Sequence, residues 1–145
     1  MSIQDLMSKD HKICDEYFSM AEALVDAGDW SAAAEHTSTF IAAMENHFQL
    51  EEMELFAEFE RVSGNSQGPT SVMRYEHEQM RGLFQAMQEG LNEQEREHYL
   101  GATDTLLILM QQHNAKEEQI LYPMMDALIA ESGIAMITLW MQQDH

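Results

Sequence analysis

Basic residues are scarce in this chain of 145: seven lysines and arginines stand against 26 aspartates and glutamates, for a net charge of −19. A surface of that sign repels nucleic acid phosphates and anionic lipid, so neither is expected as a partner. Cysteine is scarcer still. Cys14 is the single one, which rules out an internal disulfide and points to a reducing interior, with a cytoplasmic location as the expectation. No run approaches 18 uninterrupted apolar residues, so no membrane span is expected. The start, MSIQDLMSKDHK, lacks the basic-then-apolar profile of a secretion signal.

Proline and glycine are also few, two and seven, and no β-branched alternation suggests a strand. What is present is helical periodicity: Phe40, Met44, Phe48 and Leu55, or Leu106, Leu109, Met110 and Leu121. The breakers divide the chain. Asp26–Asp29 separates the first two helices, and Ser63–Pro69 is the clearest loop, with Pro69 placed to open a helix. Gly90-Leu-Asn92 marks a third turn, where Asn92 and Glu95 resemble a capping box. Gly133 closes the fourth helix, and Ile134–Gln143 reads as a short C-terminal helical segment that caps the bundle or makes a dimer. Helices are expected at about 4–26, 30–61, 70–90 and 93–131, with a kink or early end near residue 122 because Pro123 lies inside the fourth. Short connections between long helices make neighbours antiparallel. The fold class is therefore all-α, an up-down-up-down four-helix bundle forming a single domain over 1–145.

The histidines carry the functional signal. Met44, His47, Glu51, Glu52 and Leu55 recur as Met110, His113, Glu117, Glu118 and Leu121, an offset of 113 − 47 = 66. The same offset takes Asp10-His11 to Glu76-His77, Met7 to Met73 and Phe18 to Phe84. The chain is thus two similar helix pairs, about 4–61 and 70–127. Each gives one His from its first helix and His-x-x-x-Glu from its second. Spacing i, i+4 puts His47 with Glu51, and His113 with Glu117, on one helix face. Residues equidistant from a turn lie side by side in an antiparallel pair. His11 and His47 are centred on 29, Glu51 and His77 on 64, and His77 and His113 on 95, all in or beside turns. The six groups therefore share one level.

Their faces are apolar. Met7, Cys14 and Phe18 flank His11; Met73, Met80 and Phe84 flank His77; Phe40 and Met44 lie with His47; and Leu106, Met110 and Ile120 lie with His113. Taken alone, each histidine reads as an ordinary hydrogen-bonded residue, and each His-x-x-x-Glu as an exposed pair. Six polar groups on apolar faces at one level read otherwise, because burial is costly unless they satisfy one another or a cation. Imidazole and carboxylate without a thiolate cluster suit iron, manganese or zinc. Six candidates exceed the four of a closed structural zinc site. Two glutamates can bridge two ions while four imidazoles bind at the ends, so two irons is the economical reading.

The pattern His11, His47-x-x-x-Glu51-Glu52, Glu76-His77, His113-x-x-x-Glu117-Glu118-x-x-Leu-Tyr-Pro123 resembles the hemerythrin-like, or HHE cation-binding, family over roughly 4–130. The resemblance implies a centre of two iron ions (Fe2+/Fe3+) with a bridging oxo or hydroxo group. In it His11, His47, His77 and His113 are terminal ligands, and Glu51 and Glu117 are bridges. It also implies binding of dioxygen, as carrier, store or sensor; a monomer or homodimer is expected. The alternative is a di-iron enzyme acting on peroxide or nitric oxide, or iron storage and donation; a structural bundle with incidental histidines is a third reading. The invertebrate oxygen carriers have a second histidine one turn along the third helix and an Asp in the last motif. Here those places hold Arg81 and Glu117. The repeat mate of Arg81 is Asp15, so an Asp15–Arg81 ion pair beside the metals is expected, or else Asp15 ligates and Arg81 guides anions. A ferritin-like ferroxidase is disfavoured because Glu95-x-x-His98 has no partner motif, and a zinc hydrolase because His-Glu-x-x-His is absent. His36 and His98 lack repeat mates and read as non-ligands. Cys14 reads as an apolar filler. Tyr17 and Tyr122 are within reach of a site group in principle, but no pattern places them.

Overall fold

Apolar residues every three to four positions resolve into four helical rods in a computed structural model that describes residues 1–143; the last two positions of the expected 1–145 domain lie outside the described residues. The first rod is α1 (Ile3–Asp26). The second is α2 (Trp30–Leu50) continued by a π-helical turn (Glu51–Leu55) and α3 (Phe56–Ser63). The third is α4 (Pro69–Glu93). The fourth is α5 (Arg96–Lys116), a second π-helical turn (Glu117–Leu121) and α6 (Tyr122–Met141). α1 packs on α2 and on the α5–α6 rod, and α4 packs on α5 and α2, which closes an antiparallel four-helix bundle. No strand occurs among the described residues.

Local chemistry sets the ends. The Ser2 hydroxyl accepts from Asp5 N at 3.0 Å, and the Asp126 carboxylate, from α6, accepts from Ile3 N at 2.8 Å and Gln4 N at 3.2 Å. The free N–H groups of α1 are thereby tied to the fourth rod. Asp29 caps α2 through Ala32 N, and Pro69 opens α4 at its first turn. Gly28 and Gly64 end their helices at positive φ of 77° and 70°.

Three boundaries differ from the sequence reading. α4 runs through Gly90 and Asn92 to Glu93, and the reversal falls on Gln94, at φ 50°, with Glu95 rather than Asn92 as the N-cap of α5. Gly90 is there for proximity: a Cβ on it would meet the backbone of Tyr99 at 2.8 Å from N and 2.9 Å from Cα. Gly133 likewise ends nothing. It lies within α6, where a Cβ would stand 2.5 Å from Ile3 Cδ1, and the break in regular helix comes at Ile129 (φ −135°, ψ 27°). Beyond that kink Ile137 and Trp140 are buried with Ile3, Met7, Leu50 and Leu55, so Ile134–Met141 continues α6 and covers this end of the bundle. An 18-residue window in the Arg96–Met141 rod reaches a mean hydropathy of 1.4, enough by length and composition for a membrane crossing. Tyr122, Met125, Ile129, Gly133, Ile137 and Trp140 form its buried face against the bundle.

The π turns had no sequence signal. Within them Phe56 N donates to the Glu51 carbonyl and Tyr122 N to that of Glu117, an i→i+5 pattern. Carbonyls loosened from the ladder find side chains instead. Glu52 O accepts from Arg74 Nη2 at 3.1 Å and Glu118 O from Gln4 Nε2 at 2.6 Å. Pro123 has no N–H for the second ladder, so the interruption near 122 is the close of this turn.

The core is in two parts. Cys14, Phe18, Phe40, Met44, Met80, Phe84, Leu106 and Met110 belong to one apolar cluster. Ile3, Met7, Leu55, Phe56, Met73, Leu121 and Tyr122 belong to the other. On α1, α4 and the fourth rod the histidines and glutamates fall between the two clusters in sequence, and on the second rod His47 lies among residues of the first cluster and Glu51 among residues of the second.

The two α4 glycines predict opposite signs for one substitution. A Cβ added at Gly82 would have nothing within 4 Å, so Gly82→Ala should stabilise by about 0.5–1 kcal/mol. Gly90→Ala must push α5 away and should destabilise by about 1–2 kcal/mol, overpacking outweighing the helical gain. Urea midpoints of the two variants should move in opposite directions.

Candidate metal centre

Six side chains meet in the layer between the two apolar clusters. His11, His47, Glu51, His77, His113 and Glu117 are each 5% exposed or less. Their inward atoms form two groups in which all ligand atoms lie within 4.8 Å of one another: Glu51, His77, His113 and Glu117 in one, His11, His47 and Glu117 in the other. His77 Nε2 stands 3.1 Å from Glu51 Oε1, and His113 Nε2 stands 3.2 Å from Glu117 Oε1. His11 Nε2 is 3.1 Å from Glu117 Oε1, and His47 Nε2 is 3.5 Å from Glu51 Oε1. Yet His77 Nε2, His113 Nε2, Glu51 Oε1 and Glu117 Oε2 have no hydrogen-bond partner. Buried polar atoms are rarely left so. Donor atoms packed at these distances without hydrogen bonding suit a shared cation.

The outer nitrogens are all engaged. Each Nδ1 meets a carboxylate: His11 with Glu118 at 2.7 Å, His77 with Glu52 at 2.6 Å, His47 with Asp10 at 2.7 Å, and His113 with Glu76 at 2.8 Å. An Nδ1–H donated to a carboxylate presents Nε2 inward as a lone pair and makes it more basic. These pairs obey the repeat, since 118 − 52 = 66 and 76 − 10 = 66. The two Nδ1–carboxylate patterns are therefore each made twice.

The hemerythrin HHE cation-binding domain model matches residues 2–125. The chain belongs to that family. No curated protein and no solved structure matches it. A family defined by cation binding and a buried His/Glu cluster agree on a metal-binding protein.

Several residues of this HHE domain fall where the sequence did not place them. Arg81 and Asp15 do not pair. Arg81 binds Glu45 at 2.8 Å, Glu52 at 3.1 Å and Glu78 at 2.6 Å, and lies 5.2 Å over the Phe48 ring. Asp15 is exposed and belongs to neither donor group. Arg81 turns away from it because the acidic second rod offers Glu45 and Glu52, and its own helix offers Glu78. Ile120, expected inward, is 56% exposed, since the π turn shifts the face presented after Glu117. His36 bonds the Ala32 carbonyl and His98 faces Glu89 and Glu93, both away from the cluster. Cys14 is buried among apolar neighbours, and burial pushes its thiol well up. Tyr17 packs against the same cluster.

Tyr122 is the residue that enters the centre. Its hydroxyl donates to Glu51 Oε2 at 2.8 Å or Glu117 Oε1 at 3.0 Å, and lies 3.2 Å from His11 Nε2 and 3.4 Å from His47 Nε2. It is five residues after Glu117, the spacing that an i→i+5 turn brings onto the same side. The Nδ1 carboxylates were within reach of the repeat argument, because Asp10, Glu52, Glu76 and Glu118 all recur at 66. Tyr122 was not, because its mate is Phe56.

Without a cation the layer balances itself with protons. Burial opposes charge on His11, yet the Glu117 and Glu118 carboxylates outweigh it and raise that imidazole to about 9. Glu51 and Glu52 do the same for His77, again to about 9, against the same opposition from burial. Burial and the neighbouring Glu117 push the Glu51 carboxyl up. His113 and the bonds from Glu51 and His11 hold Glu117 well down despite burial. A histidine raised in the folded state stabilises fully below its ordinary value near 6.5 and loses that contribution as pH climbs through about 9. Metal-free protein should therefore have a lower urea midpoint at about pH 9.5 than at about pH 6. Cation affinity, which requires neutral imidazoles, should rise over the same interval. A midpoint unchanged across that range in the presence of chelator would contradict this account.

Proposed function

We propose that this chain is a non-haem di-iron protein that binds dioxygen. The observation that carries the reading is the set of four unpartnered inward atoms, from two imidazoles and two carboxylates, in a layer that offers six such groups. Mixed imidazole and carboxylate donors without thiolate favour iron or manganese in vivo over copper(I). His11 and His47 would hold one ion and His77 and His113 the other, with Glu51 and Glu117 available to both. Two ferrous ions there would supply the electrons that a dioxygen molecule takes up on binding.

The chain's own groups define what happens around that event. Glu118, Asp10, Glu52 and Glu76 fix the tautomer and orientation of the four imidazoles. The apolar clusters on either side keep bulk water from the layer. Phe48 and Phe56 cover His77, with ring centroids at 3.9 and 5.8 Å. A groove of about 170 Å³ is lined by Pro69, Val72, Met73, Ile120 and Leu121 with the stem of Lys116, and Met73 and Leu121 are each four residues along the chain from His77 and Glu117 respectively. Its apolar walls favour a small neutral molecule over a hydrated ion.

The turn after His77 carries Arg81, whose guanidinium is committed to three carboxylates, so no fifth imidazole is supplied from that helix. A centre with fewer protein ligands is more open, and this favours a second reading in which the pair of ions reduces peroxide or nitric oxide.

Anaerobic loading with ferrous iron followed by air separates the readings. About two irons per chain and a visible charge-transfer band that disappears under vacuum are expected. Rapid irreversible oxidation, or turnover with peroxide, would favour the enzyme; failure to retain iron would remove both. His113→Ala should lower the iron content by half or more, measured as metal per chain after desalting.

A further inference from the structure

The two halves of the centre are satisfied in different ways. All four unpartnered atoms, His77 Nε2, His113 Nε2, Glu51 Oε1 and Glu117 Oε2, come from the group formed by Glu51, His77, His113 and Glu117. Neither His11 nor His47 contributes one. There His11 Nε2 meets Glu117 Oε1 at 3.1 Å, and the Tyr122 hydroxyl lies within 3.4 Å of both Nε2 atoms and donates to Glu51 Oε2 or Glu117 Oε1. The His77 and His113 Nε2 atoms have no such hydroxyl.

The repeat shows how small the difference is. Phe56, the mate of Tyr122, stands beside His77 as a near-parallel ring, centroids 5.8 Å apart and planes 19° apart. One oxygen separates the two positions. The supports of the rings differ as well. Phe48 stacks on His77 at 3.9 Å and 15°, whereas its mate is Asn114. Glu52 and Glu76, which hold His77 and His113, are themselves held by Arg81 and Lys116. Among the described residues, no lysine or arginine pairs with Glu118 or Asp10, which hold His11 and His47. The His77–His113 half therefore leaves both of its Nε2 atoms without partners and is pre-set in orientation, the two conditions that favour binding with least rearrangement.

We propose that the two cation positions are unequal and fill in order: first at Glu51, His77, His113 and Glu117, then at His11 and His47. Tyr122 is an internal stand-in at the second position, and its hydroxyl must give up its place when the second cation arrives. This rests on the reading of the cluster as a two-cation centre. Losing hydrogen bonds to charged partners should weaken the second event by a factor of about ten to a hundred relative to the first.

Manganese(II) titrated into the metal-free full chain tests this, because it shares the donor preference of ferrous iron and its free aqueous ion is counted directly by electron paramagnetic resonance. Two separated binding events per chain are expected. Tyr122→Phe should tighten the second event relative to the first until the two merge. His77→Ala should abolish the tight event and His11→Ala only the weak one, which assigns the order independently of Tyr122. Two equal events in the unaltered protein would overturn the proposal, as would a second event weakened by Tyr122→Phe, the result for a hydroxyl that ligates. Uptake of one ion or none in both proteins would remove the two-cation reading itself.

Discussion

Two carboxylates and four imidazoles buried in one layer are the constraint to which the rest of the molecule answers. Glu51 and Glu117 are fully buried, and a buried ionised carboxylate is sustained only by opposite charge or several donors. The fold meets this by bringing an imidazole from every rod to the same height. It also closes the layer above and below with Phe, Met, Leu and Ile from each rod. Level is the critical quantity. A slip of one turn in any rod would set a histidine against a methionine or phenylalanine and leave a carboxylate alone. The Asp126 bonds to Ile3 and Gln4 and the Glu60 bonds to Thr70 and Arg74 pin neighbouring rods against such slips.

The internal repeat explains why the constraint is met twice by the same means. The Nδ1 partners of His11 and His77 come from one pair of equivalent glutamates, Glu118 and Glu52. Those of His47 and His113 come from the equivalent Asp10 and Glu76. The π turns recur too, and in each the residue five places after the inner glutamate, Phe56 or Tyr122, is carried to the histidine layer. Where the halves depart from each other, at Phe56 against Tyr122, Phe48 against Asn114 and Arg81 against Asp15, the centre loses its symmetry.

Much of this was legible in the sequence, and the parts that were not share a cause. The six inward groups and their common level follow from i, i+4 spacing, the positions of the turns and one offset. Those quantities depend only on an α-helix having a fixed pitch. What escaped depends on departures from that pitch or on packing. The π turns rotate the face after Glu51 and Glu117, so Ile120 turns outward and Tyr122 inward, and no local composition marks an i→i+5 bond. Gly90 and Gly133 look like breakers in sequence, whereas their role is to let Tyr99 and Ile3 approach. Arg81 was paired with its repeat mate, but a guanidinium takes the nearest carboxylates, and the second rod and its own helix supplied them.

The charge of the layer connects these features. Six carboxylates, Asp10, Glu51, Glu52, Glu76, Glu117 and Glu118, surround four imidazoles, so the layer is anionic unless cations or protons enter it. In the metal-free chain protons do that work: His11 and His77 are raised to about 9, and the Glu51 carboxyl is pushed up beside Glu117. The Tyr122 hydroxyl adds a further donor at the centre. Each of these is a substitute for positive charge, and each has to be released before a metal ion takes its place. The same carboxylates that draw a cation in thus also hold the protons that compete with it. The balance between the two is set by pH and by the single oxygen that distinguishes Tyr122 from Phe56.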